Sequence, residues 1–235
     1  MHVVLNRELH DVTIIEGFPG FGLVGSIATE FLVDHLKTEQ VGKIVLDEMP
    51  ALCAIHEGKI VEPIGLFYNE QYNILIVHAL NTSQGQETQV MEAMKQVGER
   101  THAKEIICIE GVGSQGDGAG ERTFFYTNNP EKEEHLKGVT EKLNEGIIMG
   151  VTGTILLRLE GFPISCIFAE THMELPDSKA AARVIEVIDK YLGLQVQTEP
   201  LLEQAKVFEE KLKGMMVKSS QAEKHAEEKK LSYVG

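Results

Sequence analysis

The 235-residue sequence predicts an α/β protein built on a largely parallel sheet, and three observations point there. From residue 12, short β-branched runs alternate with longer runs of helical apolar period, the pattern of strand-helix-strand units. The length suits one large domain with an appendage and is short for two full domains. After Pro200 the composition shifts, which puts the appendage on the C-terminal side.

Taken in order, "VTIIEGF" is the first strand, a helix follows from about Leu23 to Lys37, and "GKIVLDEM" is the second strand. Residues 52–80 hold no helix-length segment but carry turn signals at Glu57-Gly58 and Asn69-Glu70, so they read as an antiparallel meander. Thr82 or Ser83 caps a helix running to Gly98, "KEIICIEG" is the next strand, and a glycine-rich loop occupies 111–120. "GVTGTILLRLEG" reads as a short buried helix and "PISCIFAE" as a strand. Asp177 caps "SKAAARVIEVIDKYL", in which Ala181, Val184, Ile185, Ile188 and Leu192 share a face before Gly193 stops the helix. Beyond Pro200, Leu201, Ala205, Phe208, Leu212 and Met215 recur at spacings of four and three. This two-heptad seam either packs back on the domain or joins subunits. After Val217 the chain becomes a charged, solvated tail that ends in the apolar "LSYVG".

A formal charge of −14 opposes binding to nucleic acid or anionic membrane through a general field. Cys53, Cys108 and Cys166 sit singly in apolar runs and read as buried thiols of a reducing compartment. The start "MHVVLNRELHD" lacks the pattern of a signal peptide, and the longest apolar stretch, "GIIMGVTGTILLRL", is broken by Gly and Thr. The expectation is a cytoplasmic protein with no membrane span.

"EGFPGFGLVG" contains a full G-x-G-x-x-G at Gly20, Gly22 and Gly25, with Gly17 just before it. A strand precedes it, a helix follows, and Asp47 ends the next strand, so the letters match a dinucleotide cradle in which amides hold a pyrophosphate and Asp47 a ribose. Pro19 removes one amide donor, and the meander replaces the second crossover helix. The favoured reading is a tight strand-to-helix turn. Glu16, Glu110 and Glu170 each end a parallel strand. If those strands are neighbours, three carboxylates gather at the edge where α/β sheets bind ligands, or each bonds the amides of its own loop. "GVGSQGDGAGER" lacks a P-loop ending, and the nine histidines show no metal-ligand spacing, so no cofactor or metal is expected.

The segments "EGFPGFGLVGSIATEFLVDHL", "GVTGTILLRLEGFPISCIFAETH" and "DSKAAARVIEVIDKYLGLQVQTEPLLEQAKVFEE" closely resemble the archaeal branch of the proteasome assembly chaperone family, over about residues 12–212. The Gly-Phe-Pro-Gly-x-Gly start, the "AET" strand end and the Ala-rich helix come in that family's order and spacing. The resemblance implies a three-layer α/β/α sandwich similar to the nucleoside phosphorylase fold, homo-oligomers, no enzymatic activity, and docking on the 20S proteasome α-subunit ring. The implied layout is a body at 1–198, an amphipathic helix at 199–217 and a tail at 218–235. Some family members dock through a C-terminal hydrophobic-Tyr-any motif. Here Tyr233 is third from the end and follows Ser232, so the tail departs from that motif. Leu231, Tyr233, Val234 and the Gly235 carboxylate remain as anchors of a docking peptide. The alternative is a nucleotide- or small-ligand-binding α/β enzyme using Gly20–Gly25 and the strand-end glutamates.

Overall fold

The computed structural model describes residues 1–47, 54–56, 59–80, 85–113, 122–171 and 176–196, together with Leu202, Glu203 and Val207. Four strands form the centre of the sheet: β2 (Thr13–Gly17), β7 (Ile74–Ala79), β8 (Glu105–Gly113) and β11 (Ile164–Thr171). They pair parallel in the spatial order β7-β2-β8-β11. Every residue of β7 and β11 is buried, as expected for strands covered on both faces. On one flank β6 (Ile64–Asn69), β3 (Glu39–Val45) and β1 (His2–Leu5) continue the sheet antiparallel. On the other, β9 (Thr123–Thr127) runs antiparallel to β11 and the short β10 (Glu141–Lys142) lies parallel to β9. The sheet is thus parallel at its centre and antiparallel at its wings.

Helices cover both faces and make the three layers. On one side α1 (Val24–His35) and α5 (Ser178–Leu192) pack around Ile15, Ile76, Ile107 and Ile167, with Leu136 of α3 (Pro130–Lys137) joining them. On the other, α2 (Glu87–Thr101) and α4 (Gly150–Arg158) cover Ile14, Leu75, Cys108 and Phe168. The two sets are successive residues of the same strands, pointing to opposite faces.

Several details differ from the sequence reading. The expected meander splits in two: β4 (Ala54–His56) and β5 (Lys59–Val61) form a separate hairpin, while β6 and β7 enter the main sheet. α2 starts at Glu87 with Gln86 at its N-cap, so neither Thr82 nor Ser83 caps it. It runs past Gly98 to Thr101, where left-handed His102 ends it and the Ala103 amide donates to the Gly98 carbonyl at 2.9 Å. α4 buries one side only. By contrast, Asp177 caps α5 through the Ala180 amide at 2.9 Å, and Gly193 closes it at φ 68°. Cys53, the loop beyond Gly113, the heptad seam Leu201–Met215 and the tail lie outside the described residues.

The helix α1 lies on β2 at backbone contact. A Cβ on Gly17 would sit 2.1 Å from the Gly25 carbonyl oxygen, and one on Gly25 would sit 2.6 Å from the Ile109 oxygen and 2.9 Å from the Gly17 Cα. These neighbours are main chain and cannot turn aside. Gly98, in α2, would meet the Phe162 ring edge at 2.9 Å, which a side-chain shift relieves. Gly25→Ala is therefore expected to cost about 3 kcal/mol, the upper range for overpacking. Gly98→Ala, offset by helix propensity, should stay within about 1 kcal/mol of wild type. Paired urea denaturation curves check the contrast.

Candidate functional site

After β2 the chain turns sharply. Gly20 is extended, Gly22 at φ 61° and Leu23 at φ 50° are left-handed, and α1 starts at Val24 with no side-chain cap. Strand and helix meet in so short a link that it crosses the ends of β8 and β11. A Cβ on Gly22 would overlap Thr171 Oγ1 at 2.3 Å, and one on Gly20 would overlap Glu110 Oε1 at 2.0 Å. The loop is latched from the far end of the chain, because the Asp177 amide donates to the Gly22 carbonyl at 2.8 Å. Asp177 also accepts from Thr171 Oγ1 at 2.9 Å while capping α5.

The three strand-end glutamates do fall on adjacent strands. Glu16 is level with Cys108 on β8, and Glu110 with Phe168 on β11; Glu170 lies two residues further on. By strand alternation all three point to the α2/α4 face along a diagonal. Glu110 Oε1 accepts from the Gly111 amide at 3.0 Å and Oε2 from Thr152 Oγ1 of α4 at 3.2 Å. The Phe21 amide of the glycine loop also faces it. Burial pushes its pKa up to about 7, and these donors oppose the shift.

Glu16 is fully buried, and neither oxygen has an aligned hydrogen-bond donor. Burial raises it to about 8, opposed chiefly by the Cys108 thiol, with the like charge of Glu110 adding to the rise and the Phe18 amide and Thr152 opposing it. Glu170 takes a different course. Its Oε1 accepts from Arg122 Nη2 at 2.6 Å and Nε at 3.1 Å, and its carbonyl accepts from Arg183 at 3.3 Å. The expected cluster is therefore a buried pair, Glu16 and Glu110, with Glu170 drawn off by an arginine. Glu110 bonds the amide of the residue next to it, Gly111, within β8.

This geometry favours the structural reading of the loop. The space that the missing Cβ atoms leave at Gly20 and Gly22 is taken by the Glu110 carboxyl and the Thr171 hydroxyl. Asp47 is on the far side of two intervening strands, because β6 and β7 separate β3 from β2, and it pairs with the Met1 amino group instead. Three strand spacings of about 4.8 Å put β3 roughly 14 Å from β2, where the fingerprint requires an adjacent strand.

A third group escaped the sequence reading. Buried His78, beside Gly17 in the β2–β7 register, places Nδ1 2.9 Å from Thr29 Oγ1 and Nε2 2.9 Å from Glu30 Oε2. The order hydroxyl, imidazole, carboxylate looks like a nucleophile relay. However, the Gly25 carbonyl at 2.8 Å competes for the one Thr29 Oγ1 proton, and both Thr29 and His78 are buried, so no substrate reaches the hydroxyl. The contact ties α1 to β7. Its only signal was a lone His in the apolar run "NILIVHAL". At the β9–β10 edge, a shallow depression of 740 Å³ is lined by Arg122, Lys137 and Lys142, among others. Each of these cations already pairs with a glutamate. Among the described residues no group of three His, Cys, Asp or Glu is placed to hold a metal, and no helix is long and apolar enough to cross a membrane.

Fold and site together define a three-layer α/β/α protein whose glycine turn is filled by its own side chains. The PAC2 family model matches residues 14–216, and the chain belongs to the PAC2 family. It is similar to Pyrococcus furiosus PbaA, described as an archaeal homolog of proteasome-assembly chaperone, at 30% identity and TM-score 0.82, covering 94% of this chain and 99% of PbaA. Its fold is also that of P. furiosus PbaB, described as an archaeal proteasome activator, at 24% identity and TM-score 0.73, covering 92% and 98%. An uncharacterized protein of Methanocaldococcus jannaschii is 29% identical over 210 residues, 88% of this chain and 87% of that one. PbaA and PbaB are described through assembly and activation of the proteasome, not through catalysis.

Two outcomes are expected at this site. Nucleotides, with or without magnesium, should leave the Tm unchanged in a thermal-shift panel, because side chains of the fold pack against Gly20 and Gly22. Stability should also fall with rising pH. Glu16 and Glu110 bind protons more tightly in the folded chain than at their ordinary 4.5. Their contribution is therefore fully present below about pH 4.5 and is lost as pH rises through about 7 and 8. A Tm lower by several degrees at pH 8 than at pH 5 is expected, with a shallower slope in Glu16→Gln, measured by differential scanning calorimetry. Equal slopes would place the titrating group elsewhere.

Proposed function

We propose that this chain is a proteasome-assembly-chaperone-type protein that, as a homo-oligomer, binds the α-subunit ring of the 20S proteasome. The observation that carries this reading is the likeness to PbaA, which extends over 94% of the chain at a TM-score of 0.82. In this reading residues 1–198 form the body, 199–217 an amphipathic helix that sets the spacing of the tails, and 218–235 a polar tether. Leu231, Tyr233, Val234 and the Gly235 carboxylate form the docking peptide. Two aliphatic side chains and one aromatic ring offer little affinity singly. Several tails on one oligomer raise the effective concentration of each second contact, and avidity grows by 10²–10⁴ without new contacts.

The acidic charge of −14 fits a partner met through a defined peptide and pockets rather than through a general anionic surface. Immobilised full-length protein is expected to retain α-subunit rings, and deletion of residues 231–235 to reduce retention at least tenfold. Equal retention by both forms would remove the tail from the mechanism. No retention by either would remove the partner.

A further inference from the structure

We infer that His10 and His102 form a two-imidazole site for a zinc-type divalent metal ion, at the end of the central strands opposite the glycine loop. The site requires neither the tail nor the proteasome partner. His10 lies just ahead of β2, and His102 ends α2 just ahead of β8, the parallel neighbour of β2. Their Nδ1 atoms face each other at 3.3 Å. The rings are tilted by 37° with centroids 5.3 Å apart, and both residues are exposed. No local spacing in the sequence signals the pair, because 92 residues separate the two histidines.

The separation fits a chelate. A zinc-type ion holds imidazole nitrogens at about 2.0–2.1 Å in tetrahedral geometry, which sets two of them about 3.3–3.4 Å apart. The two Nδ1 atoms already stand at that bite. Without an ion the pair shares one proton, one ring donating to the other, at a distance beyond the ordinary range of an N–H donor. Imidazole nitrogen suits zinc, nickel and copper, whereas magnesium and calcium take oxygen ligands. Among the described residues no third His, Cys, Asp or Glu completes the set, so water fills the remaining positions on the exposed side.

Both imidazoles stand on fixed backbone. Asp11, left-handed at φ 54°, turns the chain after His10, and Asn73 Nδ2 donates to the His10 and Asp11 carbonyls at 3.1 and 3.0 Å. Asn73 is held in turn by the Tyr68 hydroxyl at 2.9 Å. On the other side, His102 is left-handed at φ 48° as the C-cap of α2. The Lys104 amide then donates to the Val12 carbonyl at 2.9 Å, joining the two segments next to the rings. Ligands held in this way lose little freedom when an ion binds. The acidic charge of −14 also favours a cation near the surface. A bound ion ties the start of β2 to the end of α2 and stabilises the folded chain by mass action.

Isothermal titration of the full, untagged chain with Zn²⁺, and with Mg²⁺ for comparison, tests the site. The variants are His10→Gln and His102→Asn, the second chosen because Asn tolerates left-handed backbone, with the exposed His135→Ala as a control. Metal-free Tm values report whether each variant keeps the fold, and variants at both ends of the contact keep the result readable if one of them destabilises it. Wild type is expected to bind Zn²⁺ and not Mg²⁺. His10→Gln and His102→Asn should each raise the zinc Kd at least tenfold, while His135→Ala leaves it unchanged. Equal zinc affinity in wild type and in both site variants would overturn the site by placing the ion elsewhere. A wild type that binds no zinc would overturn it as well.

Discussion

The main-chain contact between Gly17 on β2 and Gly25 on α1 is the constraint on which the rest of this structure depends. With hydrogens at both Cα positions, the helix can rest directly on the strand, and the link between them needs only six residues. That short link is forced across the ends of the neighbouring strands, where Gly20 meets Glu110, Gly22 meets Thr171 and Phe21 meets Gly111. Asp177 then fastens the loop to the start of α5. One close approach thereby fixes the relative positions of α1, α5 and three central strands. A single methyl at either glycine has to move backbone, which is far costlier than moving a ring.

The same packing explains why two carboxyls are tolerated beneath α4. An isolated buried carboxylate costs so much that the group keeps its proton, and Glu16 does so with its pKa near 8. A neutral Glu16 beside Glu110 avoids like-charge repulsion and lets the Cys108–Cys166 level of the sheet stay dry, both thiols being buried. Glu110 is better served, since it holds amide donors from the turn that the glycines create. The pair therefore belongs to the loop's architecture, and its proton is part of what holds that region together. Glu170, two residues further along the sheet, pairs instead with the exposed Arg122.

Much of this was legible in the sequence. The central strands, α1, α5 and its Asp177 and Gly193 ends follow from apolar period and local turn chemistry, which are properties of adjacent residues. Strand order is not such a property, so the letters around Gly20–Gly25 and Asp47 match a dinucleotide motif whose parts the topology separates. The edge strands β1 and β10 are short and half-exposed, with little apolar signal to read. Adjacency of Glu16, Glu110 and Glu170 could be anticipated from their common place at strand ends. Their partners could not, because Arg122 and Thr152 are 48 and 42 residues away in the chain. His78 gave only one polar letter in an apolar run.

The division between interior and surface bears on where function resides. Several polar groups at the ends of the central strands are engaged with the fold itself, Glu110 with the glycine loop, Thr29 with Gly25 and His78, Asp177 with Gly22, while the Glu16 oxygens are buried without an aligned donor. A catalytic edge needs the reverse, with groups held by the scaffold but facing an opening that admits substrate. Among the described residues, large apolar side chains are exposed on α4 and on the Ile55–Ile60 pair of the β4–β5 hairpin. Exposed apolar surface on an otherwise acidic body is a property of proteins that act by contact.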